Sequence, residues 1–218
     1  MAERTQTASS TKSFWIDSAS MPTFERLAAD EHADVVIVGG GLTGLTTAYL
    51  LSSAGKSVVV LERGRCALVD TGHTTAHLTM VTDERLPDLV QRFGRDHAQA
   101  IWDAGLAAIA QIDEVVRARG IACAFDWVDG YLHAAQNAPA DDIRRLEEEA
   151  ELAQSLGFDA DFVAEVPLAR DPGVRFAGQA RFHPRTYLAG VARAITDRGG
   201  RIYEHSEASE FFTDPLSV

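Results

Sequence analysis

Cysteine is nearly absent, with Cys66 and Cys123 the only two in 218 residues. They stand far apart and without ligand-like spacing, which excludes a disulfide framework and a zinc or iron–sulfur site built from this chain. Basic residues are in deficit: 20 Lys and Arg face 32 Asp and Glu, a net charge of −12. Such a chain lacks the basic face that neutralises phosphates, so the expected partners include no nucleic acid. The same charge disfavours anionic membrane surfaces. Long apolar runs are missing too. None reaches the roughly 20 residues of a membrane span, and residues 1–13 hold no signal-type apolar stretch. These absences point to a cytoplasmic protein with no membrane partner. No Ser–His–Asp or paired-carboxylate arrangement can be defended from spacing, so the sequence indicates no catalytic residues.

What is present is an ordinary globular complement, 46% hydrophobic, enough for one good core or a domain with an inserted second layer. Residues 1–13 read as a mobile tail and Phe14–Phe24 as an apolar arm packed on the domain. Val35–Val38 and Ser57–Leu61 are continuous apolar runs, the pattern of strands buried on both faces of a parallel sheet. Between them Leu42–Ala54 reads as a helix stopped by Gly55. Helices are expected at Glu84–Phe93 and at Arg95–Arg119, which Gly120 ends. Asp129-Gly130 between apolar runs at Ala122–Val128 and Tyr131–Ala135 predicts a hairpin, and Val174–Phe182 a further strand of its sheet. Asp141–Leu156 reads as an amphipathic helix with Glu147–Glu149 on its solvated face. Pro184–Gly199 is a helix and Arg201–Glu204 a third parallel strand. The resulting fold class is α/β: a Rossmann-like βαβ domain with an inserted antiparallel segment. The expected boundaries are a tail and arm over 1–30, the first segment of the nucleotide domain over 31–120, the insert over 121–182, and a return to the first domain over 183–218.

The chemistry lies in Asp34-Val-Val-Ile-Val-Gly39-Gly40-Gly41-Leu42-Thr43-Gly44. A lone GxGxxG is weak evidence, but this one joins a strand to a helix. Glu62 closes the second strand 23 residues after Gly39, where an acid can bind the adenosine ribose. Gly39 permits the tight turn, Gly41 lets backbone approach a pyrophosphate, and Gly44 lets helix and strand pack closely. The helix start at Leu42 and Thr43 offers unpaired N–H groups and a partial positive charge to phosphate. Glu62 repels a 2′-phosphate, which makes NADP the least suitable dinucleotide.

Gly39–Glu62, taken with Thr71-Gly-His-Thr-Thr-Ala-His-Leu-Thr79, resembles the D-amino-acid oxidase-like family of FAD-dependent oxidoreductases, which includes glycine and sarcosine oxidases. Ser13-Phe-Trp-Ile-Asp17, Val128-Asp-Gly-Tyr-Leu132 and Phe182-His-Pro-Arg-Thr-Tyr-Leu188 resemble a subgroup often fused to a Rieske-type iron–sulfur domain. The resemblance implies FAD in an extended pose, with adenosine at Glu62 and the flavin near Gly72–Leu78. The cofactor contacts it implies are Gly39, Gly41, Leu42, Thr43, Gly44, Glu62, Arg63, Gly72, His73, Thr74 and Thr75. It also implies hydride transfer from an amine-type or similar small-molecule substrate to the flavin. Some relatives attach flavin covalently through a histidine of this loop; His73 and His77 do not fall on that position and read as hydrogen-bonded loop histidines. His183 reads as a satisfied helix-start residue. The family's second half is missing, so the chain looks truncated and is expected to expose apolar surface. An NAD-dependent dehydrogenase and a non-catalytic nucleotide-binding fragment are the alternative readings.

Overall fold

The computed structural model describes residues 12–218. They form two compact units: one combines the residues up to Thr75 with His183–Val218, and the other is Ala76–Phe182.

In the first unit, β1 (Val35–Val38), α2 (Leu42–Ser53) and β2 (Val58–Leu61) make the βαβ crossover, preceded by a short α1 (Phe14–Ser18). A 3-10 turn occupies Asp70–His73, and α6 (Pro184–Thr196) leads into β7 (Arg201–Tyr203). The sheet order is β1-β2-β7, all parallel, with Val35 opposite Val58 and Leu61 opposite Tyr203. Side chains alternate across a strand, and the two faces are treated differently. Leu45 and Ala48 of α2, which packs on β1 and β2, are fully buried. On the opposite face Val59, Leu61 and Tyr203 are covered by Leu27 and Ala33 from the segment that precedes β1. That cover stops short of the edge strand. Val36 and Val38 therefore remain 42% and 53% exposed, which corrects the expectation that β1 is buried on both sides. A two-residue pair, β8 (Phe212–Thr213) with β9 (Leu216–Ser217), follows.

The second unit contains β3 (His77–Leu78), α3 (Leu86–Phe93), α4 (Arg95–Arg119), β4 (Asp126–His133), α5 (Ala140–Ser155), β5 (Ala160–Val163) and β6 (Gly173–Arg181). The long β6 is the centre of its antiparallel sheet, pairing with β3, β4 and β5. Two expectations need correction here. The boundary placed after residue 120 falls at 75/76, because α3 and α4 share one core with the sheet. Leu86, Leu89, Ala98 and Trp102 pack with Leu146, Ala150, Ala153, Val174 and Phe176. Nor is Asp129-Gly130 a hairpin turn: β4 runs straight through it. Its register against β6 shifts between Val128 and Gly130, with an extra residue on β6 and Gly178 at φ +70. This is a bulge. Gly130 serves close approach instead of a turn, since a Cβ there would sit 2.9 Å from Cγ of Gln179. That glutamine is fully buried, accepts from the Met80 N–H at 2.9 Å and donates to the Ala177 carbonyl at 2.7 Å.

The acidic run of α5 departs from expectation at one residue. Glu147 and Glu148 are exposed, but Glu149 is fully buried. Its carboxylate accepts from the Leu86 N–H at 3.2 Å and pairs with the Arg85 guanidinium, which closes the open amino end of α3.

Candidate functional site

The glycine-rich turn is shaped by backbone contacts. Gly39 takes φ +107, a left-handed conformation that only glycine adopts without strain, and its N–H donates to the Leu61 carbonyl at 2.8 Å. A Cβ on Gly44 would lie 1.9 Å from the Gly39 carbonyl oxygen, so α2 and the strand end touch backbone to backbone. Gly41 is the N-cap of α2 and offers no side-chain cap. The first amides of the helix are thus left for an outside acceptor, apart from a long contact of 3.4 Å from the Leu42 N–H to Thr71 Oγ1.

Glu62 closes the turn from the other side. One carboxylate oxygen accepts from the Gly40 N–H at 2.7 Å and the other from the Gly64 N–H at 2.7 Å. A carboxylate has about four acceptor positions, so each oxygen keeps one. A cavity of about 240 Å³ opens along this line, lined by Gly41, Glu62, Arg63, Arg65, Leu68 and Thr71 among others. Among the expected residues it brings together Gly41, Glu62 and Arg63. Of the distal group, Gly72 is buried in the 3-10 turn, His73 is spent on the Val69 carbonyl through Nδ1 at 2.8 Å, and the Thr74 carbonyl accepts from Trp15 Nε1 at 2.7 Å. Thr75 follows, exposed, at the end of the unit.

The scaffold beneath this cavity is not legible in the sequence. Glu204, just past β7, is almost fully buried. It accepts from the Cys66 N–H at 2.8 Å and the Phe24 N–H at 3.2 Å, and forms an ion pair with Arg65 Nε at 2.9 Å. Nothing local marks it, because its partners come from remote parts of the chain. The Cys66 Sγ lies beneath Gly40, 2.5 Å from where a Cβ would project. Burial, with Glu204 and Glu62 nearby, pushes its thiol up to about 12, so it is an inert packing group at neutral pH. The second unit has its own cavity of about 320 Å³, lined by polar groups of both signs, including His77, Asp83, Arg85 and Tyr131.

With this geometry in place the comparisons with known proteins are decisive. Residues 34–215 match the DAO family, described as FAD dependent oxidoreductase. The chain belongs to that family. Among its relatives, a Bacillus subtilis protein named as a Rieske 2Fe-2S iron–sulfur protein, YhfW, is 34% identical over 200 residues, which is 90% of this chain and 38% of that protein. The gamma-glutamylputrescine oxidoreductase of Escherichia coli is 30% identical, with 95% of this chain and 50% of that protein covered. Glycine oxidase from Geobacillus kaustophilus shares the fold at a TM-score of 0.62 and 18% identity, over 84% of this chain and 49% of that one. This DAO-family chain therefore spans about half or less of the length of the proteins it matches. No helix among its described residues is long and apolar enough to cross a membrane.

Proposed function

We propose that this chain is the FAD-holding front portion of an oxidoreductase acting on a small molecule with a C–H bond next to an amine or similar group. One observation carries the reading: the uncapped amino end of α2 opens at Gly41 onto a cavity that the Glu62 carboxylate also lines. That places amide donors for a phosphate and a carboxylate acceptor for ribose hydroxyls at one cavity. Leu42, Thr43 and Gly44 would present amides to the pyrophosphate, aided by the helix dipole. The exposed Arg63 guanidinium lies beside the cavity, where Arg65 is already paired with Glu204. The free acceptor positions of Glu62 suit the ribose hydroxyls. The loop through Gly72, His73, Thr74 and Thr75 would lie on the flavin side. When bound, FAD supplies the hydride acceptor, and the protein supplies position and field.

The amine-type donor is supported by the Escherichia coli relative and the glycine oxidase neighbour, both named for oxidising nitrogen-bearing compounds. A Rieske-type partner domain as electron acceptor is supported by the name of the Bacillus subtilis relative. The test is a visible absorption spectrum of the purified protein, with identification of what acid releases. A flavin spectrum with FAD released is expected. Gly41→Val should abolish binding, because a branched side chain would enter the cavity mouth beside Thr71, 3.4 Å from a Cβ at this position. A colourless folded protein that refuses added FAD, or full binding by Gly41→Val, would sink the placement.

A further inference from the structure

Two of the sequence stretches that carry the subgroup resemblance, Ser13–Asp17 and Phe182–Leu188, have no part in the cofactor contacts. The structure brings them together. His183 is the N-cap of α6: its Nδ1 accepts from the Thr186 N–H at 3.3 Å. The ring proton is then on Nε2, which lies 3.0 Å from Ser18 Oγ and donates to it. The Ser18 hydroxyl donates in turn to the Phe14 carbonyl. Trp15 stands edge-on to the His183 ring at 5.0 Å, and Phe14 is tilted against it at 6.0 Å. Two residues further on, the buried Arg185 donates to the Ala19 carbonyl at 3.2 Å and to the Ala67 carbonyl at 2.8 Å. The first turn of α6 therefore holds the short helix α1 at one end and the approach to the 70–75 loop at the other.

What α1 does with its other side is specific. Ser13 Oγ donates to the Gly72 carbonyl, and Trp15 Nε1 donates to the Thr74 carbonyl at 2.7 Å. Ile16 packs on Gly72 so closely that a Cβ there would come within 3.1 Å of its Cδ1. These bonds point two carbonyls of the loop toward α1. A trans peptide is planar and its N–H points opposite to its C=O. Holding the Thr74 carbonyl toward Trp15 thus turns the Thr75 N–H away from α1.

We propose that residues 13–19 are a clamp that sets the conformation of the 70–75 loop, with Trp15 as the positioning residue for the Thr75 amide. The functional consequence rests on the flavin-side placement of this loop given above. Under it, Trp15 fixes a donor to the cofactor without touching the cofactor. A side-chain clamp suits this loop because its only regular structure is a single 3-10 turn, which ends at His73 and leaves Thr74 and Thr75 outside any helix or strand.

The test is hydrogen exchange on the full chain, comparing wild type with Trp15→Phe, which keeps the ring edge and loses the donor. Amides of residues 70–75 should exchange about tenfold faster, the scale of one lost hydrogen bond, while amides of β2 stay unchanged. In the same variant FAD should bind about tenfold more weakly, and the visible band of the bound flavin should shift. Ser13→Ala, which leaves the tryptophan in place, should raise exchange at 70–75 without disturbing β2, and guards against a folding defect in the first variant. Unchanged exchange at 70–75 in both variants overturns the clamp, whatever FAD does. Faster exchange in a protein whose wild type refuses FAD upholds the clamp and removes the flavin reading instead. Faster exchange with FAD affinity and spectrum unchanged overturns the positioning role of Trp15.

Discussion

His183 shows how one residue's protonation state can be tied to architecture. Its Nδ1 must stay unprotonated to cap α6, and its Nε2 proton is used by Ser18. Partial burial, with the nearby Arg185 charge, holds its pKa below the usual 6.5. The unfolded chain takes up the proton first as pH falls, so this contribution to stability is fully present above about pH 6.5 and is lost as pH drops through the lowered folded value. Melting curves at about pH 7.5 and about pH 5 should show the wild type losing stability on acidification. His183→Asn, which can still cap a helix but does not titrate, should lose less. An equal loss in both would mean that His183 does not carry this pH dependence.

At the scale of elements, the second unit is held by contacts that no single element could announce. Trp102 of α4 is fully buried, edge-on to Phe158 at 5.2 Å and to Phe176 at 5.6 Å. Glu149 of α5 closes the start of α3 through the Leu86 amide. Removing its carboxylate would leave that buried N–H without an acceptor, while Arg85, which is part-exposed, can turn to water. Glu149→Ala should therefore lower stability by about 2–3 kcal/mol, the cost of an unsatisfied buried donor with loss of a charge-assisted bond. Glu149→Gln keeps an acceptor for Leu86 and should cost clearly less. Urea midpoints at constant slope would measure both, and equal midpoints would refute the capping role.

For the whole molecule, the distribution of apolar surface matters more than its total. Leu27 and Ala33, ahead of β1, cover β2 and β7 on one face of the parallel sheet and leave Val36 and Val38 of the edge strand open. An exposed apolar edge strand is a template for association between chains. The net charge of −12 opposes such association through mutual repulsion, and salt screens that repulsion. Light scattering should accordingly rise with ionic strength for the wild type. The double substitution Val36→Thr with Val38→Thr keeps strand propensity and removes methyl surface, so it should suppress that rise with little change in melting temperature. Scattering unaffected by the substitutions would place the sticky surface elsewhere.

The amino-acid sequence by itself determined the parts governed by short-range rules. The glycine spacing at Gly39–Gly44, the apolar runs of β1 and β2, the acid at Glu62 and the helix stops at Gly55 and Gly120 each depend on neighbours within a few residues or on one βαβ unit. Their legibility has that cause. The tertiary structure decided whatever depends on partners remote in sequence. Glu149 looked like its exposed neighbours until Leu86 and Arg85 came to it. Asp129-Gly130 carried the local signal of a turn, but Gln179 needed the space beside Gly130 and the strand ran on. Helices α3 and α4 joined the second core because their apolar faces matched α5 and β6, which periodicity cannot reveal. The meeting of Trp15 and His183 belongs to the same class: periodicity describes what a segment can bury, and only the folded chain determines against what.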